Sequence, residues 1–71
     1  MLEKIKDIIC CFVDIEKDDI TQESALRADL GLNSLDLISV ATEIENSFGV
    51  TIPEKKVLKL KTVGDLMECI N

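Results

Sequence analysis

Apolar residues recur at helical spacing in two main blocks of this chain, separated by a long stretch in which the period is lost. From Leu2 to Val13, the residues Leu2, Ile5, Ile8, Ile9, Phe12 and Val13 fall on one side of a helix, with Glu3, Lys4, Lys6 and Asp7 on the other. This predicts an amphipathic first helix with no evident cap at its start and an end near Asp14. The period returns more strongly from Ser34 to Phe48, where Leu35, Leu37, Ile38, Ala41, Ile44 and Phe48 share a side and Asp36, Ser39, Glu43 and Asn46 oppose them. Asn33 is a good N-cap and Asp36 stands three residues on, a capping box with Asp in the place usual for Glu or Gln. Gly49 is placed for a left-handed C-terminal cap, with Val50 packing back on the last turn. The longest helix is therefore expected to begin on or beside Ser34.

The intervening Asp14 to Asn33 is acidic, and a structureless connection of that length is uncommon in a small domain. Ile15, Ile20, Leu26, Leu30 and Leu32 are spaced through it like anchors, so it is expected to wrap the helices, with a short helical turn opening at Thr21 or Ser24. After Gly49, Val50-Thr51-Ile52 reads as an extended connector without a partner strand. Pro53 is expected as the first residue of a short third helix reaching about Leu58, with Glu54 in its first turn. Thr62 and Asp65 form a second capping signature before a last helix whose apolar face is Val63, Leu66, Met67 and Ile70. The predicted fold is all-α: a small four-helix bundle with a long first loop and a short third helix.

Composition narrows the functions open to such a bundle. Seventy-one residues make one domain, 1–71, which buries about 60% of its unfolded surface and is stable by only a few kcal/mol. Phe12 and Phe48 are the two aromatic residues, so the core is aliphatic and easily repacked. A net charge of −6 argues against nucleic-acid binding and for a basic partner protein. No apolar run approaches the ~18 residues of a membrane span. Met1 is followed by Glu3, Lys4, Lys6 and Asp7 rather than a signal peptide, and the chain stops at Asn71 without a tail, so a cytoplasmic location is expected. Cys10, Cys11 and Cys69 lack a metal-binding spacing and the chain has no His; they read as buried or half-buried thiols, and no metal site is expected. The acidic run Asp14, Glu16, Asp18 fails as a calcium loop, because Asp19 and Ala25 stand where Gly and Glu are needed.

Catalytic groups are scarce. There is no His, Tyr or Trp, and Ser34 has no base near it in sequence, so intrinsic catalysis is not expected. A serine at a helix start is ordinarily a cap. Ser34 differs in following an N-cap, which leaves its hydroxyl exposed where an esterified anion would meet unpaired backbone N–H groups and the positive end of the helix dipole.

The order of features bears on what such a serine is for. An amphipathic helix, a long acidic loop, Asp29-Leu30-Gly31-Leu32-Asn33-Ser34-Leu35-Asp36, a long helix ending at Phe48, Ile52-Pro53 and Thr62-Val63 together resemble an acyl carrier protein over nearly the whole chain. The resemblance implies that Ser34 carries 4′-phosphopantetheine, transferred from coenzyme A by a phosphopantetheinyl transferase. It also implies that the chain holds acyl intermediates as thioesters for fatty-acid, polyketide or a related acyl pathway. Implied docking residues are Asp29, Asn33, Leu35, Asp36, Ile38, Glu43 and Glu45, facing that transferase and acyl-processing synthases, reductases and acyltransferases. The implied lining of an acyl pocket is Leu30, Ala41, Ile44, Ile52, Leu60 and Leu66. A monomer is expected.

The chain departs from the family pattern at Asn33, where Asp usually precedes the modified serine. It also departs at Ser39, Asn46 and Ser47, where fatty-acid carriers are often more acidic, and in a lysine-rich stretch, Lys55, Lys56, Lys59 and Lys61. Asn33 removes a negative charge where a basic transferase would dock, while the less acidic second helix and the lysine-rich stretch suggest a dedicated pathway. The alternatives are an unmodified helical interaction module and an aminoacyl or peptidyl carrier.

Overall fold

Helix α2, Ser34–Phe48, is the longest element of the fold. The structure, a computed structural model, describes residues 2–70; the expectations of a leaderless start at Met1 and a tail-free end at Asn71 lie outside them. The order is α1 (Leu2–Cys10), a single 3₁₀ turn (Lys17–Asp19), α2, α3 (Glu54–Val57) and α4 (Val63–Ile70), with no β-strand among the described residues. Leu37, Val40, Ala41 and Ile44 of α2 share one buried core with Ile5 and Ile9 of α1, Val57 of α3, and Val63 and Leu66 of α4. This is the aliphatic core the composition calls for, since both phenylalanines lie outside the fully buried set.

Leu35 departs from the expected apolar face: it is 75% exposed, whereas Leu37 is buried. At 100° per residue, Leu35 lies well off the Leu37–Ala41–Ile44 stripe, and Val40 takes the inward place instead. Helix α1 also ends earlier than Val13. The Cys11 N–H donates to the Ile8 carbonyl at 3.1 Å and the Phe12 N–H to the Ile9 carbonyl at 2.9 Å. This tighter i→i−3 turn rotates Phe12 off the buried stripe, leaving it 36% exposed. Cys11 is exposed rather than buried, and Cys10 and Cys69 are half-buried.

The long loop is a layer of the fold. Ile20, Leu26, Leu30 and Leu32 are buried in the common core and Ile15 is packed against it. The helical turn within it falls at Lys17–Asp19, ahead of Thr21, and Lys17 pairs there with Glu3 at 2.9 Å and Asp7 at 2.8 Å on α1. Thr21 and Ser24 instead close a reverse turn, with the Thr21 N–H donating to Ser24 Oγ at 2.9 Å. An unanticipated pairing then joins the loop to the segment before α4. The Leu26 N–H donates to the Lys61 carbonyl at 2.8 Å and the Val63 N–H to the Ser24 carbonyl at 3.1 Å, around a bridge between Ala25 and Thr62.

Pro53 stands just before α3 with φ −60° and ψ 142°, so the helix proper begins at Glu54 and ends at Val57 rather than Leu58. The connector is fixed by Glu45, whose Oε2 accepts the Ile52 N–H at 2.8 Å, with Ile52 buried and Thr51 exposed. Gly49 closes α2 at φ 67°, and its N–H donates to the Glu45 carbonyl.

Candidate functional site

The start of α2 is built so that Ser34 has no capping work to do. Asn33 is the N-cap in extended geometry, and its Oδ1 accepts the Asp36 N–H at 2.8 Å. Asp36 returns the interaction, its Oδ2 accepting the Asn33 N–H at 3.3 Å. The predicted capping box is therefore present in full, with Asp36 half-buried in that role. Ser34 is the first helical residue and is exposed.

The loop ahead of it is held by Asp29 and Gly31. Asp29 Oδ2 accepts the Ala25 N–H at 2.8 Å, while the Asp29 N–H donates back to the Ala25 carbonyl at 3.0 Å. Gly31, at φ 71°, turns the chain through the left-handed region so that Leu30 and Leu32 on either side both reach the core. Ser34 is thus carried on a rigid corner, anchored by buried leucines on one side and by the α2 cap on the other.

Arg27 completes the corner. Its Nη2 donates to Ser34 Oγ at 3.1 Å, and both residues are exposed. Sequence reading missed this residue; the signal was Arg27 as the lone arginine, only seven positions before the serine in an otherwise acidic loop. The guanidinium places a permanent positive charge beside the hydroxyl. The neighbouring carboxylates are engaged elsewhere, Asp29 with Ala25 and Asp36 with Asn33. An anionic group esterified to Ser34 Oγ therefore meets a cation and the first turn of a helix, which fits a phosphodiester.

Of the other residues implicated by the sequence, Leu35, Asp29, Asn33 and Glu43 are exposed, and Ile38 and Asp36 are half-buried along the same end of α2. Glu45 is half-buried and serves the Ile52 backbone. Leu30, Ala41, Ile44, Ile52, Leu60 and Leu66 all belong to the buried core, packed among themselves and their neighbours. A groove of about 530 Å³ lies instead on the Arg27 side, lined by Ala25, Arg27, Ala28, Leu58, Lys59, Leu60 and Lys61, and shares only Leu60 with that set.

Comparison with known proteins agrees with this geometry. A family model described as "Phosphopantetheine attachment site" matches residues 3–70. The acyl carrier protein from Enterococcus faecalis is 32% identical, with a TM-score of 0.81 over 97% of this chain and 87% of that one. A protein of Mycobacterium tuberculosis assigned as an acyl carrier protein is 31% identical, with a TM-score of 0.75 over 99% of this chain and 95% of that one. The helical architecture expected from the sequence is shared with both. The family's prosthetic group is 4′-phosphopantetheine, and its members are carriers rather than enzymes. The chain belongs to the phosphopantetheine-attachment family and has the fold of its acyl carrier proteins.

Proposed function

We propose that Ser34 is the residue esterified by 4′-phosphopantetheine, and that residues 1–71 act as one cytoplasmic, monomeric carrier domain for a dedicated acyl pathway. The observation that carries this is the division of labour at the α2 corner: Asn33 and Asp36 cap the helix, which leaves the exposed Ser34 hydroxyl beside Arg27. In the attachment reaction Ser34 Oγ forms the new bond to phosphorus, the adenosine bisphosphate half of coenzyme A leaves, and the serine proton passes to a base of the transferase. The bound arm supplies a thiol that holds acyl groups as thioesters. Arg27 offsets the negative charge left on the serine ester, and the buried anchors Leu30 and Leu32 hold the attachment point still while the arm moves.

Docking falls to the exposed end of α2. Leu35 supplies the apolar contact, Ile38 adds to it, and Glu43, with Asp29 and Asp36, steers basic partners. The neutral Asn33, with Ser39, Asn46 and Ser47, makes this face less acidic than a general fatty-acid carrier, which supports a dedicated set of synthases, reductases and acyltransferases. The test is intact mass spectrometry after incubation with coenzyme A and a broad-specificity transferase. The expected result is one phosphopantetheine increment on the wild type and none on Ser34→Ala. An unchanged wild-type mass, or modification that survives Ser34→Ala, overturns the assignment.

A further inference from the structure

The groove on the Arg27 side carries a charge opposite in sign to that of the chain around it. Its apolar lining is Ala25, Ala28, Leu58 and Leu60, its cations are Arg27, Lys59 and Lys61, and no residue of α2 contributes to it. Lys55 and Lys56 precede it by a turn and are exposed like Lys59 and Lys61, whereas Val57 and Leu60 are buried. In a chain of net charge −6, these five are all of the basic residues beyond Lys17. None of them forms an ion pair among the described residues. Nearby carboxylates are committed to backbone: Asp65 accepts the Lys61 and Thr62 N–H groups, and Asp29 accepts the Ala25 N–H. Glu54 is the one acid in the stretch 54–61. The Leu26 N–H to Lys61 carbonyl bond and the Ala25–Thr62 bridge hold the two walls together, and Leu58 stays 41% exposed at the edge.

We propose that this groove is a protein-docking face separate from α2, and that its occupant is an acidic amphipathic helix of a partner protein. Charge sets the sign of the partner: unpaired lysines around an apolar recess attract carboxylates and repel the basic surfaces that the rest of the chain favours. Shape sets its form. A helix with apolar side chains three and four residues apart lays them into a groove, and glutamates flanking that stripe reach Lys59 and Lys61 on the rim. Leu58 is the side chain such a helix covers first. A flat anionic bilayer fits this surface less well. Leu60, 8% exposed, is recessed between two lysines, and a bilayer repels a chain of net charge −6. An acidic partner here and a basic partner on α2 recognise different residues, so neither replaces the other.

The test titrates the full chain, followed by amide and methyl NMR, with a synthetic helical peptide bearing leucines three and four residues apart flanked by glutamates. A second peptide with glutamine at every glutamate, and phosphatidylglycerol vesicles, are titrated in parallel. The acidic peptide is expected to shift Ala25, Ala28, Leu58 and Leu60, to leave Leu35 and Glu43 unmoved, and to bind more weakly as salt is raised. Lys59→Gln and Lys61→Gln, both at exposed positions, are expected each to weaken it about two- to fivefold, the scale of one exposed ion pair. Leu58→Ala is expected to weaken it about three- to eightfold, because only the exposed part of that side chain is newly covered. Equal binding of the glutamine peptide, shifts centred on α2, or indifference to both lysine substitutions overturns the proposal. So does occupation of the same residues by vesicles without the acidic peptide binding, or by a second copy of the chain at raised protein concentration. Every one of these readouts is independent of whether Ser34 is modified.

Discussion

At the α2 corner a single side chain decides what its neighbour is free to do. Asn33 holds the Asp36 N–H, so Ser34 Oγ has no backbone donor to satisfy and accepts from Arg27. Removing the cap in Asn33→Ala is expected to cost about 1 kcal/mol, measured as a lower midpoint in urea denaturation. Asn33→Asp keeps the cap and adds a carboxylate beside the proposed attachment point, so stability is expected to stay within a few tenths of a kcal/mol. The rate of Ser34 modification by a transferase that presents basic residues is expected to rise. The cap pair was legible in the sequence because capping is a rule of fixed local spacing. Arg27 was not, because it lies in a loop and loops have no period; only the folded turn brings it to the serine.

Helix α4, like α2, is secured at its beginning by a titratable carboxylate. Asp65 Oδ2 accepts the Lys61 N–H at 3.0 Å and the Thr62 N–H at 3.1 Å, and Thr62 Oγ1 accepts the Asp65 N–H at 3.2 Å. The two backbone N–H groups hold the Asp65 carboxyl below its ordinary value of 3.8. A depressed carboxylate stabilises the fold above its unfolded pKa, and that contribution drains away as pH falls through the lower folded value. Asp65→Asn is therefore expected to lower the denaturation midpoint at neutral pH and to do so progressively less in strong acid, read from midpoints at several pH values. Element boundaries were less legible than element types. The α1 repeat continues to Val13 in sequence, but its last turn tightens after Cys10, a change the apolar pattern does not encode.

Across the whole molecule the long loop behaves as a fifth packing element. The spacing of Ile20, Leu26, Leu30 and Leu32 made its burial predictable, since four apolar side chains in an acidic stretch have nowhere else to go. Its pairing with residues 61–64 was not, because the bonds run between backbone groups and leave no mark on side-chain identity. Leu26 joins both features, with a fully buried side chain and an N–H bonded to Lys61. Leu26→Ala is expected to cost about 3 kcal/mol. In a domain this small that is most of the stability, so the variant should be largely unfolded by circular dichroism at physiological temperature.

Leu35 is the one large apolar side chain that α2 holds mostly in water, directly after the proposed attachment serine. Covering such a leucine yields about 1.5–3 kcal/mol, roughly ten- to a hundredfold in affinity. On the proposed docking role of Leu35, an enzyme that seats it gains that much and must return it on leaving. In that proposed role, an increment of that size leaves departure from each partner governed by how quickly that one leucine is wetted again.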